Sequence, residues 1–420
     1  MMSLSMPPVL SEEVIERAFV DADSIRDAWR LSAAVEAEAL EVEAASKTPG
    51  EGLRALVALL GERGLLGLVV PAAYGGTNER VRSVPVCLAR ERLGYTSPLL
   101  ELAFAMQGLG SYAISARGSD AQKSAYLPHV AAGTRVAAFA LTEEQAGSDL
   151  SRIATEARRE APDSATEGDA YVLTGKKVYI SNAGVADFYV VFAKVVDAQD
   201  PKRALTAFIV DASLTNVRTS PQRVLGGHPI GALHLEGVRV GADKRIGAEG
   251  EGLGTALETL HKFRMTVGAA ALGFAQRALS ETVLHVNTRT QFGAPLGQLQ
   301  AVQMQVAEMA CELEAARLLV YRAASLADVV ATLSAQNDHE NPADRARVAK
   351  AGSMAKLVAT ENASRIIDKA VQLHGGRGVD HEFVVSRLYE DVRALRIYEG
   401  ASDIQKLLIA RDVLGASKHA

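Results

Sequence analysis

The chain has 420 residues, of which 48% are hydrophobic and 23% charged, and its formal net charge is −5. This length accommodates two or three domains with a sizeable core, and the scattered basic residues argue against a nucleic-acid partner. Two cysteines, Cys87 and Cys311, argue against a disulfide framework and favour a reducing cytoplasm. The N-terminus lacks the pattern of a signal peptide, and no apolar run approaches the ~20 residues that span a bilayer. We therefore expect a cytoplasmic protein without a membrane partner.

Three compositional regions follow one another along the chain. Residues 1–133 are rich in Ala, Leu, Glu and Arg at helical spacing. Residues 134–246 contain short β-branched and aromatic runs separated by Gly, Asp and Asn, which predicts strands. Helical spacing returns over residues 247–420, so the order predicts an N-terminal helical domain, a small β domain and a C-terminal helical bundle. The predicted strands are YVLTGKKVYIS (171–181), DFYVVFAKV (187–195), ALTAFIVDA (204–212) and ALHLEGVRV (232–240).

One long helix predicted in the C-terminal region carries a regular apolar stripe, which we interpret as core packing. The segment 334–345 predicts a loop before a second long helix, with Pro342 in the first turn of that helix. The stripe alternates steps of four and three residues and consists of Val302, Val306, Met309, Leu313, Ala316 and Val320.

Two motifs lie in the predicted β domain. In FALTEEQAGSD (139–149), a strand opens into a loop of small residues around Ser148, which lets a polar ligand approach the backbone; a surface turn explains the pattern equally well. In GKKVYISNAG (175–184), Tyr179 and Ser181 are two residues apart in a strand, so their side chains share one face and could hold a flat ring. A half-buried strand with an interfacial tyrosine is the alternative.

Two further motifs interrupt the C-terminal helical region. RTQFGAPLGQLQ (289–300) offers the Arg289 guanidinium, which suits pyrophosphate, beside the apolar Phe292. An arginine that only satisfies the last helix carbonyls is the competing account. VQLHGGRGVDHEFVVSRLYED (371–391) predicts either a tight helix cap or a backbone that lies against a ligand, and no preceding strand supports a dinucleotide fingerprint. The helix-breaking residues of this motif are Gly375, Gly376 and Gly378.

Together and in this order, the motifs resemble the acyl-CoA dehydrogenase family over nearly the whole chain. ALTEEQAGSD looks like the first signature of that family, and QLHGGRGVDHEFVVSRLYED matches the second throughout. RIYEGASDIQ (396–405) matches the segment that carries the catalytic glutamate in most members. The resemblance implies an α+β fold with an N-terminal helical domain, a small antiparallel β domain and a long C-terminal four-helix bundle. It also implies FAD as cofactor, acyl-CoA as substrate and an electron-transfer flavoprotein as partner; no metal site is predicted.

The resemblance assigns cofactor contacts to residues of this chain. Leu141 and Thr142 correspond to the flavin ring edge, and Ser148 to the loop near the pyrophosphate and the pantetheine arm of the substrate. Tyr179 flanks the ring where Trp is common, and Ser181 replaces a Thr whose hydroxyl reaches N5. Two further segments correspond to contacts with the FAD of a neighbouring subunit, which implies a homo-oligomer, commonly a dimer of dimers. Their residues are Arg289, Gln291, Phe292, Gln372, Gly375 and Gly376.

Glu399 corresponds to the catalytic base of the family. Without the resemblance, a carboxylate before a helix is expected to be a solvated loop charge. In the family this glutamate removes the α-proton of the thioester, and burial is expected to raise its pKa towards neutrality. Gly400 gives the backbone the freedom to present the base, and Arg264 matches an arginine that keeps the glutamate in place. Some members carry the base on the preceding long helix, where this chain has Phe263, which cannot abstract a proton.

Two residues after the base depart from the family pattern. Ala401 stands where a Thr usually bonds the cofactor, and Asp403 stands where Gln or Glu is usual, which predicts a weaker grip on FAD. Ala105 and Met106 are expected to approach the acyl tail and favour a plain short- to medium-chain acyl group over a dicarboxylyl group. The alternatives on the same fold are an acyl-CoA oxidase, a flavin monooxygenase and a dehydrogenase linked to acyl carrier protein. A binding protein without turnover is an alternative of a different class.

Overall fold

A computed structural model describes residues 22–160, 169–196, 198, 200, 204–336 and 341–415. Helices open the described chain, a sheet follows, and helices complete it, which confirms the predicted fold class. The helices before the sheet are α1 (Ala22–Ala34), α2 (Glu36–Ala45), α3 (Pro49–Glu62), α4 (Ser83–Thr96), α5 (Pro98–Arg117) and α6 (Asp120–Ala131). The helices after it are α7 (Gly252–Thr288), α8 (Gln300–Gln336), α9 (Pro342–His374), α10 (Val384–Leu395) and α11 (Ser402–Val413).

The strands of the middle region are β1 (Ala137–Ala140), β2 (Glu156–Glu160), β3 (Ala170–Ser181), β4 (Phe188–Val195), β5 (Leu205–Asp211), β6 (Val217–Pro221), β7 (Ile230–Gly241) and β8 (Arg245–Ile246). They form one sheet in the order β6-β7-β3-β2-β4-β5-β8, with β1 beside β4. The prediction of an antiparallel sheet holds for most neighbours, but β1 and β2 each pair with β4 in parallel. Because other strands separate each of them from β4 along the chain, the chain has the length to return in the same direction. The four strands predicted from the sequence correspond to β3, β4, β5 and β7.

The described chain packs as two compact units. The first unit comprises residues 22–36, 82–101 and 261–415. The long helices α8 and α9 pack against each other in its core. The apolar stripe predicted on α8 is buried, except that Val306 is partly buried against the core. Helix α9 begins at Pro342, as predicted, and the side chain of Asn341 caps it by accepting a hydrogen bond from the N–H of Ala343.

The second unit comprises residues 37–81 and 102–260 and is built around the sheet. All but one residue of β4 are buried, which is expected of a strand that is covered on both faces. The rings of Phe139 on β1 and Phe192 on β4 pack with centroids 5.0 Å apart. This packing fixes the end of β1, from which the first predicted ligand loop continues.

Helix α8 is the one described helix that is long and apolar enough to cross a membrane, by length and composition alone. Core helices of soluble proteins can be equally long and apolar, and 22% of the most apolar 18-residue stretch of α8 is buried. The predicted absence of a membrane partner therefore stays a prediction. Cys87 is buried and Cys311 is exposed, and both are free thiols. The cytoplasmic location also stays a prediction.

Candidate active site

The predicted catalytic base lies in the loop between α10 and α11. The backbone φ angle is +52° at Glu399 and +95° at Gly400. A left-handed conformation is uncommon for a residue with a side chain, and it persists only where the surroundings hold it. The φ angle favours glycine at residue 400, and an added Cβ atom would lie 2.3 Å from Nε2 of Gln405, so that this side chain would have to move.

Side chains from two neighbouring helices hold this loop. Lys356 Nζ and Gln405 Nε2 both donate hydrogen bonds to the carbonyl oxygen of Gly400, at 2.8 and 2.9 Å. The hydroxyl of Ser402 donates to Glu361 at 2.6 Å. Since Lys356 and Glu361 both belong to α9, the end of the loop that leads into α11 is fastened to that helix at two points.

Charged groups of the first unit surround the carboxyl group of Glu399. Burial raises the pKa of Glu399 to about 7, while the charges of Arg90, Lys356 and Arg264 lower it and that of Glu101 raises it further. Among the described residues, its buried Oε2 atom has no hydrogen-bond partner. The group is therefore a carboxyl poised near neutral pH with an unused acceptor, which is what a general base requires.

Arg264 lies on α7 and is 5% exposed. Its Nη1 donates a hydrogen bond to Ser353 Oγ at 3.2 Å, and its buried Nε has no partner in the described chain. Burial lowers the pKa of Arg264, while the charge of Glu399 raises it, so the two groups act on each other without a direct hydrogen bond. The neighbouring Phe263, at the alternative base position of the family, is buried and apolar.

Sequence reasoning missed three charged residues that belong to this site. Arg90 and Glu101 form an ion pair in which each side chain is 2% exposed, and Arg90 Nη1 donates to Thr266 Oγ1 at 2.6 Å. Lys356 is fully buried. For Lys356 the available signal was a single charge within an apolar helical run, GSMAKLVAT (352–360). Arg90 is followed directly by Glu91 and Arg92, so its sequence context gave no such signal. Such charges are almost never fully buried unless they are paired or have a specific role.

A buried ion pair fastens the predicted ligand loop of the second unit. Lys177 Nζ donates to Glu143 at 2.7 Å and to the carbonyl oxygen of Leu141 at 3.2 Å. Glu143 also accepts the backbone N–H groups of Ala154 and Thr155, at 2.7 and 3.0 Å. The carboxylate therefore closes the loop from the end of β1 to the start of β2.

The predicted flavin contacts occupy different depths in this loop. Leu141 is buried and Thr142 half-buried, and the carbonyl oxygen of Thr142 accepts the N–H of Val178 at 2.9 Å. Ser148 is exposed. The loop thus presents a hydroxyl to solvent beyond a rigid, buried strand end.

The pairing of β3 with β7 is irregular at Tyr179. Two residues, Val178 and Tyr179, oppose one residue of β7, and Tyr179 has a φ angle of +55°. This bulge interrupts the regular alternation of β3, but Ile180 is buried between the exposed Tyr179 and the half-buried Ser181. That Tyr179 and Ser181 share one face and hold a flat ring stays a prediction. Tyr179 is 59% exposed, and its backbone N–H donates a hydrogen bond to Oε1 of Gln222 at 2.7 Å.

The predicted contact segment after α7 is a two-residue hairpin. Strands β9 (Thr290–Gln291) and β10 (Ala294–Pro295) pair antiparallel, and the turn residues Phe292 and Gly293 have φ angles of +51° and +82°. Two positive φ angles define a type I′ turn, which favours Asn-Gly rather than Phe-Gly. Phe292 is 93% exposed, and Arg289 and Gln291 are exposed beside it.

The three glycines after α9 differ in backbone conformation and in the space around them. A Cβ atom on Gly378 would lie 2.1 Å from the carbonyl oxygen of Val371, so packing requires that glycine. Gly375 has a φ angle of +60°, whereas an added Cβ on Gly376 would meet no atom within 4 Å. The helix cap predicted from the sequence therefore accounts for Gly375, packing against Val371 accounts for Gly378, and for Gly376 the interpretation as a ligand contact stays a prediction. Gln372 is exposed in the last turn of α9.

A contact between two histidines joins the end of α7, before the hairpin, to the end of α9, before the glycines. The rings of His285, near the end of α7, and His374, at the end of α9, stack with centroids 4.3 Å apart. The structure thus brings the predicted subunit-contact residues around Arg289 and around Gly376 to one end of the first unit.

The remaining predicted contacts are less distinctive. Ala401 is the N-cap residue of α11 and provides no side-chain cap. Asp403 points its carboxylate to solvent and pairs with Lys406 at 3.2 Å on the same helix. Ala105 and Met106 are buried in α5.

Comparison with known proteins agrees with this arrangement of helices, sheet and loops. Three family models match: "Acyl-CoA dehydrogenase, N-terminal domain" over residues 21–134, the middle domain over 138–238 and the C-terminal domain over 250–414. A "3-(aryl)acrylate reductase" of Clostridium sporogenes is 35% identical, over 90% of this chain and 94% of that protein. The butyryl-CoA dehydrogenase structure of Megasphaera elsdenii has a TM-score of 0.79 at 29% identity, covering 93% and 97% of the two chains.

An acyl-CoA dehydrogenase of Bacillus anthracis, solved in complex with FAD, has a TM-score of 0.84 at 29% identity, covering 96% of this chain and 68% of that one. The chain belongs to the acyl-CoA dehydrogenase family. It is therefore an FAD-dependent oxidoreductase that acts on CH–CH groups. The residues present fit FAD: Tyr179 is an exposed aromatic ring on a bulge, and Gly376 leaves its backbone open to close approach.

Proposed function

We propose that this enzyme converts a saturated acyl-CoA into the trans-2-enoyl-CoA with Glu399 as the base, and passes the electrons to an electron-transfer flavoprotein. The observation that carries the proposal is the carboxyl group of Glu399. Its pKa is raised by burial to about 7, and its Oε2 lacks a hydrogen-bond partner in the described chain. A carboxylate in this state can accept the α-proton of a thioester at physiological pH.

The loop around the base also offers a donor for the thioester oxygen. Among the described residues, the backbone N–H of Glu399 has no hydrogen-bond acceptor. An N–H that is fixed in position and unsatisfied can stabilise the negative charge that grows on the oxygen as the α-proton leaves. FAD, when bound, supplies the hydride acceptor for Cβ. Glu399 would thus contribute a base through its side chain and an oxyanion donor through its backbone.

For the acyl group we propose a short or medium chain. Ala105 and Met106, which the family resemblance places at the acyl tail, are small or flexible apolar side chains. The names of the related proteins concern an aryl acrylate in one case and butyryl-CoA in the other, at similar identity. The identity of the acyl group therefore has to come from a substrate series.

The test is anaerobic bleaching of the flavin by acyl-CoA substrates of four to sixteen carbons, followed by addition of an electron-transfer flavoprotein, which should restore the oxidised flavin. We expect bleaching by saturated substrates, slow reoxidation in air and the fastest rates for short or medium chains. Fast reoxidation by air would indicate an oxidase instead. A best rate with glutaryl-CoA would contradict the preference for a plain acyl group.

Glu399→Gln tests the base directly. The variant keeps the size and polarity of the side chain, so we expect FAD and acyl-CoA to bind while bleaching slows by about 10²–10⁴-fold. Glu308→Gln, at an exposed carboxylate on α8, is the matched control and should bleach normally. Bleaching of Glu399→Gln at the wild-type rate would exclude Glu399 as the base.

A further inference from the structure

Two buried side chains of different charge share one acceptor beside the base. Lys356 on α9 and Gln405 on α11 are each 0% exposed, and both donate to the carbonyl oxygen of Gly400, at 2.8 and 2.9 Å. One amide donor would suffice to satisfy a carbonyl oxygen in a turn. Burying an ammonium at the same position costs far more than burying an amide, so its charge needs a separate explanation.

The other charges near the base are largely compensated by partners of their own. The guanidinium of Arg90, on α4, forms an ion pair with Glu101, on α5, and donates to Thr266. Arg396 Nη2 lies 2.7 Å from Glu361, so these two charges also form a pair.

Lys356 and Arg264 differ from those pairs. Within the described chain, no carboxylate lies within ion-pair distance of either cation. Burial lowers the pKa of Lys356 to about 8, and the charge of Glu399 acts in the opposite direction, as does that of Glu361, while Arg264 and Arg396 lower it further. Tyr398, next to the base, stays neutral because burial raises its pKa well above its usual value. The carboxylate of Glu399 is thus the negative charge that acts most strongly on Lys356.

We infer that Lys356 is a positioning residue with two separable effects: it fixes the Gly400 carbonyl and so the left-handed turn at Glu399, and its positive charge favours the ionised form of the base. The inference rests on the proposed function, because it assigns to Lys356 an effect on the base of that reaction. Gln405 shares the first effect and lacks the second. The chain therefore contains its own control, a neutral donor to the same oxygen.

The experiment compares Lys356→Met with Gln405→Met in the FAD-loaded enzyme, using the pH dependence of kcat/KM for flavin bleaching. Both variants lose one hydrogen bond to Gly400, so kcat should fall by roughly tenfold or more in each, since small displacements of a base are costly. Only Lys356→Met removes a cation, so only in this variant should the acid limb move upward, by roughly one pH unit. Lys356→Arg should restore the limb to its wild-type position.

The inference would be overturned if the acid limb of kcat/KM lay at the same pH in Lys356→Met and Gln405→Met, whether it had moved from the wild-type position or not. Lys356→Met is expected to fold, because no buried carboxylate is left without an ion-pair partner and Gln405 still satisfies the carbonyl oxygen. If it fails to fold, the same comparison is made with Lys356→Gln.

A second measurement separates this inference from the proposed function. Because the folded pKa of Glu399 lies above that of the unfolded chain, ionisation destabilises the fold as pH rises from about 4.5 to about 7, and Glu399→Gln removes that cost. With Lys356→Met the cost should continue to grow above pH 7, whereas with Gln405→Met, as in the wild type, it should level off before Lys356 loses its own proton near pH 8. Urea unfolding between pH 5 and 9 reads this without any substrate. Absence of bleaching in the wild type would reject the proposed function, while an unchanged pH range of unfolding would reject the role of Lys356.

Discussion

At the scale of single residues, the state of Glu399 determines how activity depends on pH. A base must be deprotonated to act, so kcat/KM should rise with pH, with a midpoint near 7, and level off above it. An unperturbed glutamate would give a midpoint near 4.3 and flat activity from about pH 5.5 upward. Stopped-flow bleaching between pH 5.5 and 9 distinguishes the two cases. A flat profile would show that burial does not control this group in the loaded enzyme.

The N-cap position of α11, Ala401, is also a predicted cofactor contact, so one substitution tests both helix stability and FAD binding. Ala401 is the N-cap and offers no side-chain hydrogen bond, so Ala401→Thr should stabilise the protein by about 0.5–2 kcal/mol in urea unfolding. We also expect slower loss of FAD on dilution, because the family usually has Thr at this position. Ala401→Val is the control, since it has the same shape without the hydroxyl. Unchanged FAD retention in Ala401→Thr would contradict the prediction of a weaker grip, even if the helix gained stability.

At the scale of elements, β3 carries two adjacent lysines in opposite environments. Lys177 is buried and paired with Glu143, while Lys176 is half exposed and paired with the exposed Glu144. Lys177→Met leaves a buried carboxylate without its partner and should destabilise the second unit by about 3–5 kcal/mol. Lys176→Met should cost less than about 1 kcal/mol. Urea unfolding of both variants checks the contrast, and similar losses would show that the buried pair contributes no more than a surface pair.

The sequence predicted regular elements better than their irregularities. The strand runs and the stripe on α8 are long, periodic signals, so burial and propensity both favour the observed structure. The bulge at Tyr179 was not predictable in the same way, because it arises where β3 must pair with β7 out of register. The type I′ turn at Phe292 was also missed, since a phenylalanine is not the residue that such a turn favours. Both exceptions fall at predicted ligand contacts, where local preference and fold are expected to disagree.

At the scale of the whole molecule, the family resemblance predicted Glu399 as the base, but the charges around it became visible only in the fold. Arg90 and Glu101 precede Glu399 by about 300 residues, and Lys356 lies on a third helix. No local pattern connects such positions, because their proximity depends on how the helices of the first unit pack. The resemblance therefore predicted a carboxyl group whose pKa burial raises, and the structure adds the charges that act on it: those of Arg90, Lys356 and Arg264 lower its pKa and that of Glu101 raises it.

The last prediction concerns assembly. Phe292 occupies a turn position that favours asparagine, and its ring is 93% exposed, so the folding of one chain gives no reason for it. We propose that it packs against a second copy of the chain in a homo-oligomer, as the resemblance implies. Phe292→Asn should leave the stability of the single chain unchanged or raised, because asparagine suits the turn, while weakening assembly and FAD retention on dilution.

Sedimentation velocity at decreasing protein concentration measures that assembly. Leu225→Asn, which alters another exposed apolar side chain, is the control and should sediment like the wild type. Because the expected effects on the turn and on the interface have opposite signs, general destabilisation cannot imitate the result. A Phe292→Asn variant that assembles as tightly as the wild type would place the subunit contact elsewhere and leave the exposed ring without a function in assembly.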